Sequence, residues 1–269
     1  MKNNIPKIIH YCWFGGAEIP DNIQKFIDGW KEKLPDYEFK KWDEKNYNIE
    51  QSCDYVKEAF VAKKWAFVTD YVRLDVCYKY GGIYLDVDVE LIKNLDDILE
   101  LDAFCGFEQG EKETDLEVNT GLIVGMKKGS KIGKILRDDY LTKKFIKEDG
   151  NYDTTPCPQI QTKKLKGFGL ECNNKKQIIE GMTVFPYEYF CPMNQYTGET
   201  TITKNTYSIH HYSGSWYNEA DQLRRKLRMK YSKFGKFGSD ILSSIVAYKK
   251  YYGFWGMWKE IFKKLIGKK

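Results

Sequence analysis

The chain has 269 residues, 42% hydrophobic and 16% aromatic, with a formal charge of +5, which suits one sizeable catalytic domain plus an appendage, or two small domains. Seven widely spaced cysteines without a CxxC pair exclude a disulfide framework or a cysteine zinc cluster and fit a reducing cytoplasm. No apolar run approaches the ~20 residues that cross a bilayer, and the opening Met1 to Pro6 has no signal-peptide pattern.

In chain order, Lys7 to Phe14 is a short apolar run closed by Gly15-Gly16, which predicts a buried strand ending in a tight loop. Pro20 to Leu34 predicts a helix with Ile23, Phe26, Ile27 and Trp30 on one face, stopped by Pro35, and Tyr37 to Trp42 a second strand. This strand, helix, strand order opens an α/β architecture with a parallel sheet. Ala59 to Tyr80 reads as one long helix stopped by Gly81-Gly82.

Ile83 to Glu90 then alternates strictly, with Ile83, Leu85, Val87 and Val89 on one face and Tyr84, Asp86, Asp88 and Glu90 on the other. Ala103–Phe107, Thr120–Met126, Thr183–Phe185 and Tyr207–His211 are further strand candidates. Residues 127–180 are lysine-rich and show no clear order of elements. From Gln222 onward, fourteen lysines and arginines stand against Asp240 and Glu260 alone, so an acidic body at 1–221 carries a basic tail at 222–269. From Ile241 the tail mixes aromatic and aliphatic residues with lysines. This predicts one or two amphipathic helices broken near Gly253 and Gly256, suited to an anionic membrane surface rather than to nucleic acid.

Asp86-Val87-Asp88 is the sharpest chemical signal. Two carboxylates at i and i+2 of a strand point the same way, roughly 7 Å apart, and hard oxygen ligands suit Mg²⁺ or Mn²⁺. Asp70 and Arg73, at i and i+3 of the preceding helix, share a face and offer a planar cation and an acceptor for phosphate or sugar hydroxyls. A phosphoesterase or nuclease would gather more carboxylates or histidines around two metals; this chain has three histidines and no HxH or HxD motif.

The run Ile5-Pro6-Lys7-Ile8-Ile9-His10-Tyr11-Cys12-Trp13-Phe14-Gly15-Gly16, then Asp70-Tyr71-Val72-Arg73, then Gly81-Gly82-Ile83-Tyr84-Leu85-Asp86-Val87-Asp88, resembles the DxD sugar-binding glycosyltransferases (glycosyltransferase family 32) over roughly the first half of the chain. That family includes yeast initiating mannosyltransferase types and many bacterial capsule and lipopolysaccharide enzymes, and is distantly similar to the glucosylating clostridial toxins. In the second half, His210-His211-Tyr212-Ser213-Gly214-Ser215-Trp216 resembles the family's His-x-x-Gly-Ser-Trp element.

The resemblance implies a Rossmann-like GT-A fold with the basic helical tail appended, a divalent metal, and retaining transfer of a hexose from a nucleotide sugar, UDP-sugars favoured. The acceptor it suggests is a lipid-linked oligosaccharide of capsule or O-antigen synthesis, met by a cytoplasmic, peripherally membrane-attached enzyme. A catalytically inactive binder of nucleotide sugar or carbohydrate at the membrane is the alternative. By the same resemblance, Asp86 and Asp88 bind metal, with His211 ahead of His210 as third ligand. Trp13 stacks on the donor base, Asp70 and Arg73 hold the donor sugar, and Asn119 lies near the reacting carbon. Trp216 closes over the diphosphate, and Tyr11 and Ser213 complete the donor set. Thr154-Thr155-Pro156-Cys157-Pro158 departs from the family's Thr-Gly-Pro stretch, which leaves the acceptor side unassigned.

Overall fold

The computed structural model describes residues 3–110, 115–214 and 218–266. The opening matches expectation: β1 (Ile8–Cys12), α1 (Asp21–Lys33), which buries Ile23, Ile27 and Trp30, and β2 (Glu38–Trp42), which pairs in parallel with β1. The expected long helix is two helices, α2 (Asp54–Val61) and α3 (Trp65–Tyr80). Lys63 takes φ 54° between them, with Lys64 N–H bonded to the Ala59 carbonyl and Lys63 N–H to that of Phe60. This is a left-handed helix stop made by lysine where glycine is usual, so composition does not advertise it.

The expected strand from Ile83 to Glu90 is also two pieces, β3 (Gly82–Tyr84) and β4 (Val89–Leu91). Between them Asp86 to Val89 forms a turn closed by Val89 N–H on the Asp86 carbonyl. The alternating pattern is real, but the chain changes sheets at the two aspartates, so their separation is set by a turn rather than by strand pitch.

The chain continues through β5 (Ala103–Gln109), β6 (Leu116–Val118), β7 (Val124–Met126), α4 (Lys131–Asp138), α5 (Cys157–Lys166), β8 (Gln177–Ile179), β9 (Met182–Phe185), α6 (Tyr187–Phe190) and β10 (Ser208–His210). The main sheet runs β2-β1-β3-β7-β5-β9-β8, with β6 beside β5, and β4 pairs with β10 in a separate ladder. The sheet is mixed. It is parallel at β2-β1-β3 and β5-β9, as expected, and antiparallel at β3-β7-β5 and β8-β9, within the α/β class. Its core joins Val68, Val72 and Val76 of α3 to Val124, Met126, Val184 and Ile132. All seven cysteines are free.

These residues, 1–192 and 201–211, form one unit. The second, 193–200 and 212–269, holds α7 (Glu219–Lys230) and α8 (Gly235–Ile266), the latter broken at Gly253 alone (φ 68°). Asn218 caps α7 by accepting the Asp221 N–H, and Ala220, Ala247, Tyr248 and Met257 form the helical core. No helix among the described residues is long and apolar enough to cross a membrane.

His10 joins the strands that frame the site. Its Nε2 lies 2.8 Å from the Gly81 carbonyl and its Nδ1 accepts the Trp42 indole N–H at 3.1 Å. A neutral ring donating from Nε2 satisfies both partners, and burial pushes its pKa down to about 4 against the partial support of the Gly81 bond. Acid therefore protonates the unfolded chain first. The stability given by neutral His10 is intact above pH ~6.5 and is lost as pH falls from there towards 4, by up to about 3 kcal/mol. His10→Gln should flatten this acid limb of a denaturation series between pH 7 and 4.5. A limb as steep as that of the wild type would mean that His10 is not its source.

Candidate functional site

The site is built where α3, the β3–β4 turn and the loop after β6 meet. Gly81 (φ 70°) ends α3 with its N–H on the Cys77 carbonyl, and β3 follows at once, paired in parallel with β1. The Leu85 N–H reaches the His10 carbonyl, and the Asp86 N–H the Gly121 carbonyl at 3.1 Å. The turn bearing the aspartates is thus tied to the end of β1 and to the 118–121 loop.

Asp86 Oδ1 accepts the Tyr84 hydroxyl at 2.7 Å and lies 3.4 Å from Arg73 Nη2, which also meets Asp70 Oδ1 at 3.1 Å. The guanidinium lies over the Tyr84 ring, 5.1 Å from its centroid, and its Nη1 approaches Cys157 Sγ at 3.6 Å. Arg73 and Asp70 are both buried. Arg73 keeps its charge because the Asp86 and Asp70 carboxylates outweigh desolvation. Asp70 shares that one cation with Asp86, and burial pushes its pKa up to about 6 against the pull of Arg73.

On the other side of Asp86 stands His210. The β4–β10 ladder pairs His210 with Val89 and brings its Nε2 to 3.2 Å from Asp88 Oδ1 and 3.9 Å from Asp86 Oδ2. One ligand atom from each of Asp86, Asp88 and His210 lies within 4.8 Å of the others. Burial lowers the His210 pKa and the charge of Asp88, with that of Asp86, raises it further, for a net rise. Hence His210, not the expected His211, joins the carboxylates. His211 points the other way: its Nε2 is 2.7 Å from Glu90 Oε2 and its ring stacks on Phe26 at 4.9 Å.

Asn119 is the remaining expected catalytic residue that the structure places here. Its Nδ2 donates to Glu108 Oε2 at 2.8 Å, and its Oδ1 accepts the Gly121 N–H at 2.7 Å. Behind this loop, α5 offers Thr162 Oγ1 to the Val118 N–H and Gln161 Oε1 to the Thr120 N–H. A Cβ on Gly121 would stand 2.5 Å from Asp86 Oδ2, 2.6 Å from Arg73 Nη1 and 2.9 Å from Asn119 Oδ1. Glycine is needed here for closeness, not for its dihedral freedom.

Tyr84, Glu108, Gly121, Cys157 and Gln161 escaped the sequence reading; Tyr84 alone had a signal, sharing the alternating face with Asp86. Tyr11 and Trp13 are half-buried at the end of β1, Tyr11 edge-on to Trp30 at 5.8 Å and Trp13 Nε1 donating to the Ala17 carbonyl at 2.7 Å. Ser213 belongs to the second unit, and Trp216 lies outside the described residues.

The donor set fits a small hard cation with one borderline nitrogen ligand. Asp70 and Asp86 share the Arg73 guanidinium, while Asp88 meets His210 and Glu108 meets Asn119, an excess of carboxylates that a divalent ion relieves.

Residues 20–105 match the family model described as the glycosyltransferase sugar-binding region containing a DXD motif. This segment is similar to that family. It carries Asp70, Arg73, Asp86 and Asp88 and stops short of Asn119 and His210, whose placement rests on geometry. The inositol phosphoceramide mannosyltransferase 3 of Schizosaccharomyces pombe is 35% identical over 106 residues, covering 37% of this chain and 29% of that protein. An uncharacterized glycosyltransferase of Acanthamoeba polyphaga mimivirus is 32% identical over 109 residues, covering 37% of this chain and 42% of its own. The chain thus spans less than half the length of these curated relatives. Among solved structures, the PaToxG glycosyltransferase superposes with a TM-score of 0.42 at 21% identity, over 61% of this chain and 69% of its own. A glycosyltransferase involved in glycosylation of the major capsid of PBCV-1 gives 0.44 at 12%, over 81% and 97%.

The two neighbouring histidines separate in a binding measurement. His210→Ala should weaken Mn²⁺ binding, followed by electron paramagnetic resonance, by about tenfold or more, whereas His211→Ala should leave it within about twofold, as for a residue outside the ligand set. The reverse ranking would return the third ligand to His211.

Proposed function

We propose that this chain is a GT-A-type retaining glycosyltransferase that moves a hexose from a nucleotide sugar, UDP-sugars favoured, to a glycan acceptor. The observation that carries the reading is the convergence of Asp86, Asp88 and His210 within 4.8 Å, beside the buried Asp70–Arg73 pair and a segment similar to the DXD glycosyltransferase family.

In this reading Mg²⁺ or Mn²⁺ would be held by Asp86, Asp88 and His210, where it would neutralise the diphosphate leaving group. Arg73 and Asp70 orient the donor sugar through its hydroxyls. Tyr84 and Arg73 occupy Asp86 Oδ1, so that Oδ2 is turned to the ligand cluster. Trp13 and Tyr11 border the donor base.

The bond between the anomeric carbon and the phosphate oxygen breaks, the acceptor oxygen bonds the same carbon from the same face, and the acceptor proton passes to the departing phosphate. Same-face attack is favoured over double displacement because the two buried carboxylates nearest the loop are already committed, Asp70 to Arg73 and Glu108 to Asn119. A trapped covalent glycosyl-enzyme would refute it.

The acceptor we favour is a lipid-linked oligosaccharide of cell-surface polysaccharide synthesis, met at the cytoplasmic face of the inner membrane through residues 241–269. Among the described residues, eleven of the nineteen exposed large hydrophobic side chains lie between Phe234 and Phe262. In the second half of α8, Phe254, Trp255, Trp258 and Phe262 are exposed beside Lys259 and Lys263, while Met257 and Ile261 face the helical core. An apolar face bordered by lysines suits an anionic bilayer surface, to which each nearby cation adds about 1 kcal/mol.

With UDP- and GDP-sugars offered in turn, we expect slow nucleotide release from one donor with Mn²⁺ or Mg²⁺, lost with chelator and at least about 100-fold lower in Asp88→Ala; release that survives both would remove the metal from the mechanism. Trp255→Glu, at a side chain 83% exposed, should lower co-sedimentation with anionic vesicles without loss of fold. Sedimentation equal to that of the wild type would sink the membrane assignment.

A further inference from the structure

A second concavity lies on the opposite face of α3. Tyr71, Asp75 and Lys79 recur every four residues, on the side of the helix turned away from Asp70, Arg73 and Cys77. With the segment after β2 they line a cavity of about 220 Å³. Its aromatic wall is held in place: Trp42 and Tyr80 stack at 5.5 Å and 24°, Trp42 donates to His10, and Tyr47 meets Trp42 edge-on. Tyr80 is 45% exposed, so this wall is open to a ligand.

The polar groups are of both kinds. Asp75 is buried and its Oδ2 accepts from the Tyr47 hydroxyl at 2.8 Å and from Lys79 at 2.7 Å. Lys79 is exposed and keeps two further N–H groups, and the side-chain amide of Gln51 stands exposed at the rim. Tyr71 is only 6% exposed, lines the cavity, and its hydroxyl has no hydrogen-bond partner among the described residues. That hydroxyl can both donate to and accept from a molecule in the cavity.

We propose that this cavity is a second sugar-binding site, which takes one neutral hexose unit of a glycan. A pyranose has an apolar ring face for the Trp42–Tyr80 wall and hydroxyls that both donate and accept, as Tyr71, Asp75, Lys79 and Gln51 require. The volume lies below the ~300 Å³ at which drug-sized ligand sites begin, so a nucleotide does not fit. Lys79 and Arg137 both face the Asp75 carboxylate, at 2.7 and 3.6 Å, so a phosphate would meet a buried anion whose neighbouring cations are already engaged. Such a site would hold the acceptor chain away from the reacting carbon. That use rests on the transferase reading, whereas binding itself does not.

Saturation-transfer NMR on the full chain tests it, with millimolar glucose, galactose, mannose and N-acetylglucosamine and with chelator present. At least one hexose should bind, equally well in Asp88→Ala. Its Kd should rise about fivefold or more in Tyr71→Phe, the effect of one lost hydrogen bond, and likewise in Tyr80→Ala. Tyr71→Phe keeps the buried ring, so it remains informative if the larger truncation disturbs folding. Absence of binding by all four sugars, binding unchanged in Tyr71→Phe, or binding that disappears in Asp88→Ala would each overturn the proposal. Donor hydrolysis, measured separately, decides the transferase reading on its own.

Discussion

The Asp86 carboxylate sets the terms for its surroundings. It is largely withdrawn from water and held by the Tyr84 hydroxyl and the Arg73 guanidinium. A half-buried anion beside a fully buried guanidinium needs that cation and its hydrogen bonds in place, since removing one partner of a buried pair is strongly destabilising. Arg73 must therefore be buried too, which requires α3 to end directly before β3 and to turn Asp70 and Arg73 inward. One guanidinium serves two carboxylates, while Asp88 and Glu108 add two more. The site is left short of positive charge, and a divalent ion would supply what is missing.

That demand reaches parts of the chain far away in sequence. Gly121 has no side chain because Asp86, Arg73 and Asn119 fill the space that a Cβ would need. Its loop is shaped by Gln161 and Thr162 of α5, which take the backbone N–H groups that no strand partner takes. His210 arrives through the β4–β10 ladder. The family segment ends at residue 105, so half of the constellation is contributed by chain outside the recognised region.

The second unit follows another logic. One stripe of α7 and α8 packs into a small core of Ala220, Ala247, Tyr248 and Met257, with Tyr248 donating to Asp221 at 2.6 Å. Much of the remaining apolar surface stays outside, which is why these helices look overly hydrophobic for their share of core. The break at Gly253 needs a positive φ that glycine adopts without strain.

The sequence by itself determined the α/β class, the first strand, helix and strand, the glycine stop after Tyr80 and the Asp70–Arg73 pair, because short-range periodicity and i, i+3 spacing govern those features, and it singled out Asp86 and Asp88, though a turn and not strand spacing brings them together. It did not reveal the break at Lys63, where lysine does what glycine usually does, or the end of β3 at Tyr84, where alternation continues through a turn that leaves the sheet. Glu108, Gln161 and Cys157 carry no local mark, since their roles depend on loops that pack against them. The choice between His210 and His211 shows the limit best. Adjacent residues on a strand face opposite sides, so composition and motif treat the pair alike. Only the register that places His210 opposite Val89 decides which imidazole meets the aspartates and which turns to Glu90 and Phe26.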